Sequence, residues 1–237
     1  MIPIRDHNHT RRTPVVTWTL IAMNVLIFVA SMTFGASDAE AIVMRFGVIP
    51  DLLVHGQWGT SRVDGGALGS VVTPITSMFL HGGILHLGFN MLFLHVFGDN
   101  VEDVLGRARF VAFYVVCGLG AVAGQVLVDP ESMVPMIGAS GAISGVLAAY
   151  MILFPQARVV TLVPIFIFIR FFEVPAAIFI IVWFMLQLVL GYLSLGLLAE
   201  GGGGVAWFAH IGGFLVGLLS VRLFYRVPKA PRERLFR

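Results

Sequence analysis

Six long apolar segments constrain this chain more than any other feature of its sequence. A helix needs about 20 apolar residues to cross a hydrocarbon core about 30 Å thick, because each residue adds about 1.5 Å. Six segments meet this need without one Lys, Arg, Asp or Glu, and they are Val15–Phe34, Ile75–Gly98, Phe110–Val128, Met136–Phe154, Val174–Leu198 and Gly203–Val221. The sequence therefore predicts an all-α membrane protein, a bundle of six transmembrane helices.

The composition agrees with a lipid bilayer as the main surroundings. The chain is 58% hydrophobic and 12% charged, whereas soluble domains are about 45–50% apolar and about 25% charged. Its formal net charge is only +2 and its basic residues lie mainly at the two ends, so nucleic acid is not an expected partner. The single cysteine, Cys117, lies in an apolar run, allows no internal disulfide and is predicted to pack in the bundle.

The distribution of Arg and Lys predicts the orientation, because short cytoplasmic loops carry an excess of basic residues. With six spans, four basic clusters fall on one side: Arg5, Arg11 and Arg12; Arg107 and Arg109; Arg158 and Arg170; and Arg222, Arg226 and Lys229. The other side carries Asp129, Glu131 and Glu200, with Arg45 and Arg62 as minor exceptions. Both termini are therefore expected in the cytoplasm.

The chain divides into a cytoplasmic N-terminal segment at 1–14, one membrane domain at 15–225 and a basic cytoplasmic tail at 226–237. The first apolar run lacks a small-residue cleavage site and is expected to be retained; with no targeting extension, a bacterial cytoplasmic membrane fits. The apolar stretch Val159–Ile169 is short and contains Pro164. It is expected to lie in the membrane interface or to re-enter.

Polar side chains at membrane depth are costly and point to function. They are His81, His86 and Asn90 in the second span, Ser140 in the fourth and His210 in the sixth. Ser140 lies roughly 6 Å and His210 roughly 9 Å below the same surface by the helical rise. Just inward of them are two pairs of glycines four residues apart, Gly141 with Gly145 and Gly213 with Gly217, which allow close helix packing.

These residues can form an acyl-transfer site. A serine hydroxyl is a weak nucleophile until a base such as neutral imidazole takes its proton, so Ser140 and His210 form a sufficient pair. His86 and Asn90 are four residues apart and share a helix face, where both could stabilise an oxyanion. His81 lies about 180° from Asn90 on an ideal helix, so it shares that face only if the segment starts irregularly.

Each of these residues also has a plain structural interpretation. A membrane serine often bonds its own backbone, and a lone histidine can pack as a polar side chain; only the combination favours catalysis. His95, on the other face, is interpreted as packing. Asp99, Glu102 and Asp103 are interpreted as a solvated helix end.

Three motifs resemble the signatures of the rhomboid intramembrane proteases. They are His81-x4-His86-x3-Asn90, Gly138-Ala139-Ser140-Gly141 and Ala209-His210-x-Gly212, and Glu102–Gly106 is similar to the acidic turn after the family's second core helix. The likeness runs from about Thr76 to Leu218.

The resemblance implies a six-helix core and a serine endopeptidase that cuts transmembrane segments of other membrane proteins, without metal or cofactor. It implies that Ser140 is the nucleophile and His210 the general base. The oxyanion hole would be the Ser140 backbone N–H, His86 and Asn90. His81, Gly138 and Gly141 would have supporting roles. It gives no oligomeric state. We expect substrate to approach beside the fifth span, next to the glycine run Gly201–Gly204.

The chain departs from the family pattern at two places. Val71–Pro74 stands where members usually have a Trp-Arg pair before the second core helix, and Trp58 is followed by Gly59. Ser144 stands where many members have an aromatic residue beside the catalytic histidine.

Other intramembrane proteases are excluded by the residues they need. The only lysine, Lys229, is in the tail, there is no His-Glu-x-x-His sequence, and no pair of aspartates lies within the spans. Two alternatives stay open. One is a non-catalytic rhomboid-like protein that binds membrane clients, and the other is a transporter or channel with a proton path through His81, His86 and His210.

Overall fold

The computed structural model describes residues 1–55, 69–165, 168–199 and 204–225. Its helices are α1 (Val15–Met32), α2 (Ala36–Phe46), α3 (Pro50–Val54), α4 (Gly69–Thr76), α5 (Ile84–Leu105), α6 (Arg107–Val128), α7 (Ser140–Leu153), α8 (Ala176–Ala199) and α9 (Trp207–Phe224), with a 3-10 turn at Ser77–Phe79. Three strands, β1 (Ile2–Asp6), β2 (Arg158–Ile165) and β3 (Phe168–Pro175), complete the described elements. The architecture is mostly helical, and the three strands depart from the all-α prediction.

Four described helices, α1, α6, α8 and α9, are long and apolar enough to cross a membrane. A fifth span is obtained if Val72–Phe79 and Ile84–Leu105, which meet at a bend of 96°, are taken together. The predicted fourth span, Met136–Phe154, is helical only as α7, and at 14 residues α7 is shorter than a full crossing. A multi-pass membrane protein with four to five apolar span candidates follows, and the count of six stays a prediction.

The centre of the bundle is built where α6, α7 and α9 meet through glycines. A Cβ added to Gly217 on α9 would lie 2.5 Å from the Cα of Gly145 on α7, and one added to Gly213 would overlap the carbonyl of Gly141. The predicted glycine pairs therefore do bring these two helices into backbone contact. Gly212 meets Gly124 of α6 in the same way, at 2.9 Å from its Cα. Such close contacts increase the dispersion attraction between helices inside a lipid bilayer, where the hydrophobic effect does not favour helix association.

An antiparallel sheet in the order β1-β2-β3 was not predicted from the sequence. The apolar stretch Val159–Ile169 is divided between β2 and β3, with Arg158 opposite Pro175 and Ile165 opposite Phe168. β1 pairs with β2 from the other end of the chain, with Asp6 opposite Val159. The hydroxyl of Tyr150, near the end of α7, donates to Asp6, which fixes this sheet to the bundle.

The interpretation of Glu102 as part of a solvated helix end is wrong. Its side chain is only 3% exposed, and its carboxylate accepts hydrogen bonds from the backbone N–H groups of Val16 and Thr17 at 3.0 and 2.7 Å. The Thr17 hydroxyl also donates to it at 2.8 Å. Glu102 therefore caps the N-terminus of α1, where a negative charge meets unpaired N–H groups. Asp103 accepts from the backbone of Arg11 at the exposed edge of the same turn.

Candidate active site

Ser140 is the first residue of α7, directly after a turn that only glycine adopts easily. Gly138 has a φ of +124°, in the left-handed region where a Cβ is strained. Its N–H donates to the carbonyl of Ser77 at 2.9 Å, which fastens the turn to the 3-10 segment. The first N–H groups of a helix have no intrahelical acceptor. The serine hydroxyl therefore lies beside free backbone donors and the positive end of the α7 dipole.

His210, one turn into α9, contacts Ser140 directly. The distance from His210 Nε2 to Ser140 Oγ is 2.8 Å. The contact follows from the glycine packing. Gly141 directly follows Ser140, Gly213 lies three residues after His210, and these two glycines hold the helices at backbone contact. Residues 70 positions apart are thus brought within hydrogen-bond reach, which is the geometry a nucleophile and its base require.

The other imidazole nitrogen of His210 also has a partner. Its Nδ1 lies 2.8 Å from Oε1 of Gln187 on α8. Trp183, one turn earlier on the same helix, places its ring centroid 6.1 Å from that of His210, and Trp207 of α9 lies at 6.0 Å in an edge arrangement. Both nitrogens of the ring therefore have a partner, and two tryptophan rings pack near it.

His86 and Asn90 lie one turn apart on α5 and line the same cavity as Ser140. A Cβ on Gly138 would come 2.8 Å from Nε2 of His86 and 3.6 Å from Ser140 Oγ, so the histidine edge, the glycine and the hydroxyl converge. Asn90 is 6% exposed, and its Nδ2 has no acceptor among the described residues. Asn90 therefore brings a buried polar group without a described partner to the cavity that Ser140 also lines.

His81 lies before α5, in the bend that follows the 3-10 turn. The segment does start irregularly, which was the condition for His81 to approach the face of His86. The two rings stack edge to face with centroids 5.0 Å apart. His81 is 7% exposed, and neither of its nitrogens has a partner among the described residues. His81 therefore packs against His86 and makes no hydrogen bond to Ser140.

Ser144 is fully buried on α7, one turn after Ser140. Its hydroxyl donates to the carbonyl of Ser140 at 2.7 Å, the backbone bond that a helical serine ordinarily makes. In this chain the aromatic ring beside His210 comes from another helix, through Trp183 of α8.

One cavity of about 920 Å³ joins these groups. Its wall includes Ser140 and His210 together with Asn90 of α5 and Gln187 of α8, and it reaches the loop before α7 at Asp129 and Ser132. It is therefore open to the side where α7 and α9 begin. The volume is in the range of sites that hold an extended peptide or a ligand of drug size.

Within the described parts of the chain, no cluster of metal-ligating side chains lies at this cavity. Among the residues that the structure describes, one group has metal-like spacing, and it consists of Asp51, His55 and Glu131. There the two nitrogens of His55 already face the two carboxylates, at 3.0 and 3.6 Å. His55 and Glu131 are exposed and Asp51 is half-buried, and the group includes none of the predicted site residues.

Comparison with known proteins identifies the family. The model of the rhomboid domain matches residues 68–227, which contain every residue of the site. The chain belongs to the rhomboid family. The resemblance predicted from the three motifs is therefore confirmed.

Relatives of this rhomboid include one named as a protease and one named as inactive. "Rhomboid protease GluP" of Bacillus subtilis is 35% identical over 138 residues, which cover 57% of this chain and 24% of that protein. "Rhomboid protein 1, mitochondrial" of Saccharomyces cerevisiae is 31% identical over 172 residues, 70% of this chain and 45% of that protein. "Inactive rhomboid protein 1" of Drosophila melanogaster is 33% identical over 86 residues, 34% of this chain and 6% of that protein. The chain thus spans less than half the length of these relatives.

Gln187 is the site residue that the sequence analysis missed. It lies within the predicted fifth span, Val174–Leu198, and an uncharged amide at membrane depth attracts less notice than a histidine. The signal was present, because Trp183 and Gln187 are four residues apart and so share one face of that helix. Two other expectations, on Trp58 and on the run Gly201–Gly204, fall wholly or largely on residues 56–68 and 200–203, outside the described parts of this rhomboid.

Proposed function

We propose that this rhomboid is an intramembrane serine endopeptidase, which hydrolyses a peptide bond in or near the transmembrane segment of another membrane protein. The observation that carries the proposal is the 2.8 Å contact between Ser140 Oγ and His210 Nε2 at the wall of an open cavity. Catalytic relatives such as the one named "Rhomboid protease GluP" support the same assignment.

In the proposed reaction, Ser140 Oγ attacks the scissile carbonyl carbon while His210 Nε2 takes the hydroxyl proton. The tetrahedral intermediate collapses when His210 returns that proton to the leaving amine, which leaves an acyl ester on Ser140. Water then attacks the ester while His210 takes a proton from it, and His210 returns that proton to Ser140 Oγ as the acid product departs. No acidic residue among those described hydrogen-bonds to His210, so a Ser–His dyad is the arrangement proposed.

The developing oxyanion would be met by the backbone N–H of Ser140, Asn90 Nδ2 and His86. Asn90 supports this role because its donor is buried and has no partner in the described parts of the chain. Removing one such donor typically lowers kcat by about 10²–10³-fold. We therefore expect Asn90→Ala to lower kcat by that order with little change in KM, measured on a fluorogenic peptide substrate. Unchanged kcat would remove Asn90 from the oxyanion hole.

The proposed topology has six spans, with residues 15–225 in the membrane and both termini in the cytoplasm, as the basic clusters favour. The active site would then open to the outer side, a few residues below the surface. Hydrolysis requires water at the site and a substrate carbonyl freed from helical hydrogen bonds. Substrates would be segments whose helix unwinds easily near that surface, and in a bacterium the membrane would be the cytoplasmic one.

We further propose that substrate enters between α5 and α8, the two helices that face each other across the cavity. Phe93 of α5 meets Trp183 and Phe179 of α8 with ring centroids 6.4 and 6.2 Å apart. Side-chain contacts of this kind can part without breaking a backbone interface. A disulfide designed to tether the two helices should block cleavage and allow it again after reduction. Full cleavage by the tethered protein would exclude this route.

The non-catalytic alternative, a rhomboid that only binds membrane clients, has a relative in its favour, since one similar protein is named as inactive. The contact between Ser140 and His210 weighs against it, because a client-binding protein needs no such pair. A proton-conducting channel would use His81, His86 and His210 and would conduct after Ser140→Ala.

The deciding experiment is cleavage of a fluorogenic transmembrane substrate by purified protein in liposomes. The unaltered chain is compared with Ser140→Ala and with His210→Ala. Loss of cleavage in both variants is the expected result. Equal cleavage in all three would indicate a contaminating protease, and no cleavage by the unaltered chain on several substrates would favour the client-binding alternative.

A further inference from the structure

Gln187 is held at both ends of its amide group. Its side chain is 4% exposed, Oε1 lies 2.8 Å from His210 Nδ1, and Nε2 donates to the carbonyl of Trp183 at 3.2 Å. A carbonyl oxygen cannot donate, so the Trp183 contact requires the NH₂ end of the amide. The oxygen end must therefore face the imidazole.

This orientation determines which nitrogen of His210 carries the proton. An amide oxygen only accepts, so Nδ1 must be the N–H donor and Nε2 must carry the free lone pair. That lone pair is the one 2.8 Å from Ser140 Oγ. A reversed amide would donate to Nδ1 and leave the proton on Nε2, where it could not accept the serine proton. The direction of one buried amide thus decides whether the base is competent.

We propose that Gln187 is a positioning residue, which holds His210 in the Nδ1–H tautomer and aims Nε2 at Ser140. The inference rests on the proposed proteolytic function, and it adds a third member to the dyad. The amide is neutral, so it orients the imidazole and accepts from the imidazolium without placing a second charge in the membrane. It takes the orienting role that a buried carboxylate has in many soluble serine proteases.

The proposed role of Gln187 makes the orientation of His210 depend on the position of α8. Gln187 lies on α8 and His210 on α9, and α8 also forms one wall of the proposed substrate route. A shift of α8 that separates Oε1 from Nδ1 would release the imidazole from its tautomer. His210 would then regain its competent form when α8 returns against α9.

The kinetic test compares Gln187→Leu, which removes the acceptor, with Gln187→Glu, which keeps an acceptor oxygen. Leu186→Ala is the matched control, because Leu186 neighbours Gln187 on the exposed side of α8. Loss of one hydrogen bond to a charged group corresponds to about a 10- to 100-fold fall in kcat for Gln187→Leu, with KM unchanged. Gln187→Glu should exceed Gln187→Leu in kcat, and Leu186→Ala should match the unaltered chain. Equal kcat for Gln187→Leu and the unaltered chain would overturn the proposal.

A spectroscopic readout separates this inference from the proposed function. In ¹⁵N NMR of the histidine-labelled chain in liposomes, the His210 signals are identified by their loss in His210→Ala. We expect a protonated Nδ1 in the unaltered chain and a change in Gln187→Leu, whether or not any substrate is cleaved. A protonated Nε2 in the unaltered chain would overturn the inference even if the protein is an active protease. The expected tautomer in a chain that cuts no substrate would leave the positioning role intact and count against proteolysis.

Discussion

The helices around α9 hold it by two different means. Toward α6 and α7 the contact is backbone to backbone, through glycines such as Gly217 against Gly145. Toward α8 the contact is made by large side chains, with Phe184 stacked on Phe214 at 4.1 Å and Gln187 bonded to His210. A glycine interface cannot open gradually, since any separation removes its dispersion contacts together. Side chains can change rotamer and re-form.

This difference matches a division of tasks in the site. The proposed nucleophile and the proposed base lie on the two helices that are fixed to each other by backbone contact. The residue proposed to orient the base lies on the helix held by side chains. The comparison therefore predicts that changes on the glycine side destroy the site, whereas changes on the α8 side adjust it.

The largest effect is expected for Gly217→Ala. A methyl group there would lie 2.5 Å from a backbone atom of α7, so the helices must separate, at a cost of about 1–3 kcal/mol in unfolding free energy. The Ser140–His210 contact should lengthen and cleavage should be lost. Unfolding in detergent and cleavage in liposomes measure the two effects.

Gly196→Ala is the matched control on α8, because a Cβ at Gly196 would have no neighbour within 4 Å among the residues that the structure describes. Its stability and activity should equal or exceed those of the unaltered chain, since alanine favours a helix over glycine. Similar losses in Gly217→Ala and Gly196→Ala would show that the two interfaces do not differ as described.

An intermediate effect is expected for Phe184→Leu, which weakens the stacking of α8 on α9. Activity should fall because Gln187 holds His210 less well, and the coupling with Gln187→Leu should be about 0.5–1.5 kcal/mol in a double-mutant cycle. In the Gln187→Leu background the second change should therefore have little further effect on kcat. Strictly additive effects would show that α8 does not act on the base through Gln187.

The smallest effect on activity is expected at the far end of α7, for Tyr150→Phe. The change removes the hydroxyl that donates to Asp6 and accepts from Asn8 at 2.9 Å. Burial raises the pKa of Asp6, so this carboxyl favours folding most at low pH, and its contribution decreases as the pH rises through its native pKa. Tyr150→Phe should lower the unfolding free energy by about 1 kcal/mol and leave kcat unchanged. A large loss of kcat would show that the end of α7 that contacts the β-sheet is coupled to the site.

The sequence predicted the parts of the fold that depend on local patterns. Uncharged apolar runs located the long helices, and glycines spaced four apart indicated where α7 and α9 meet. Ser140 and His210 could be paired because both lie near the start of their helices at similar depth, and because the glycine pairs just inward of them predicted close packing of those helices. The catalytic roles of these residues remain predictions, as do the six spans and their orientation.

The features that were missed depend on partners distant in sequence. β2 pairs with β1 across most of the chain, and an apolar stretch such as Val159–Ile169 has no alternation to mark a strand. Glu102 looked solvated because acidic residues usually are at helix ends, and its partner Thr17 is 85 residues away. Gln187 is uncharged, and its partner His210 lies on the next helix, 23 residues away.

The most direct test of the central claim is covalent labelling of the nucleophile. The full chain in liposomes is treated with a fluorophosphonate, which reacts with activated serines, and the modified peptide is mapped by mass spectrometry. The account predicts one adduct, on Ser140, that is lost in His210→Ala although Ser140 is still present. Cleavage of a transmembrane substrate with no adduct on Ser140, or an adduct that forms equally well without His210, would contradict it.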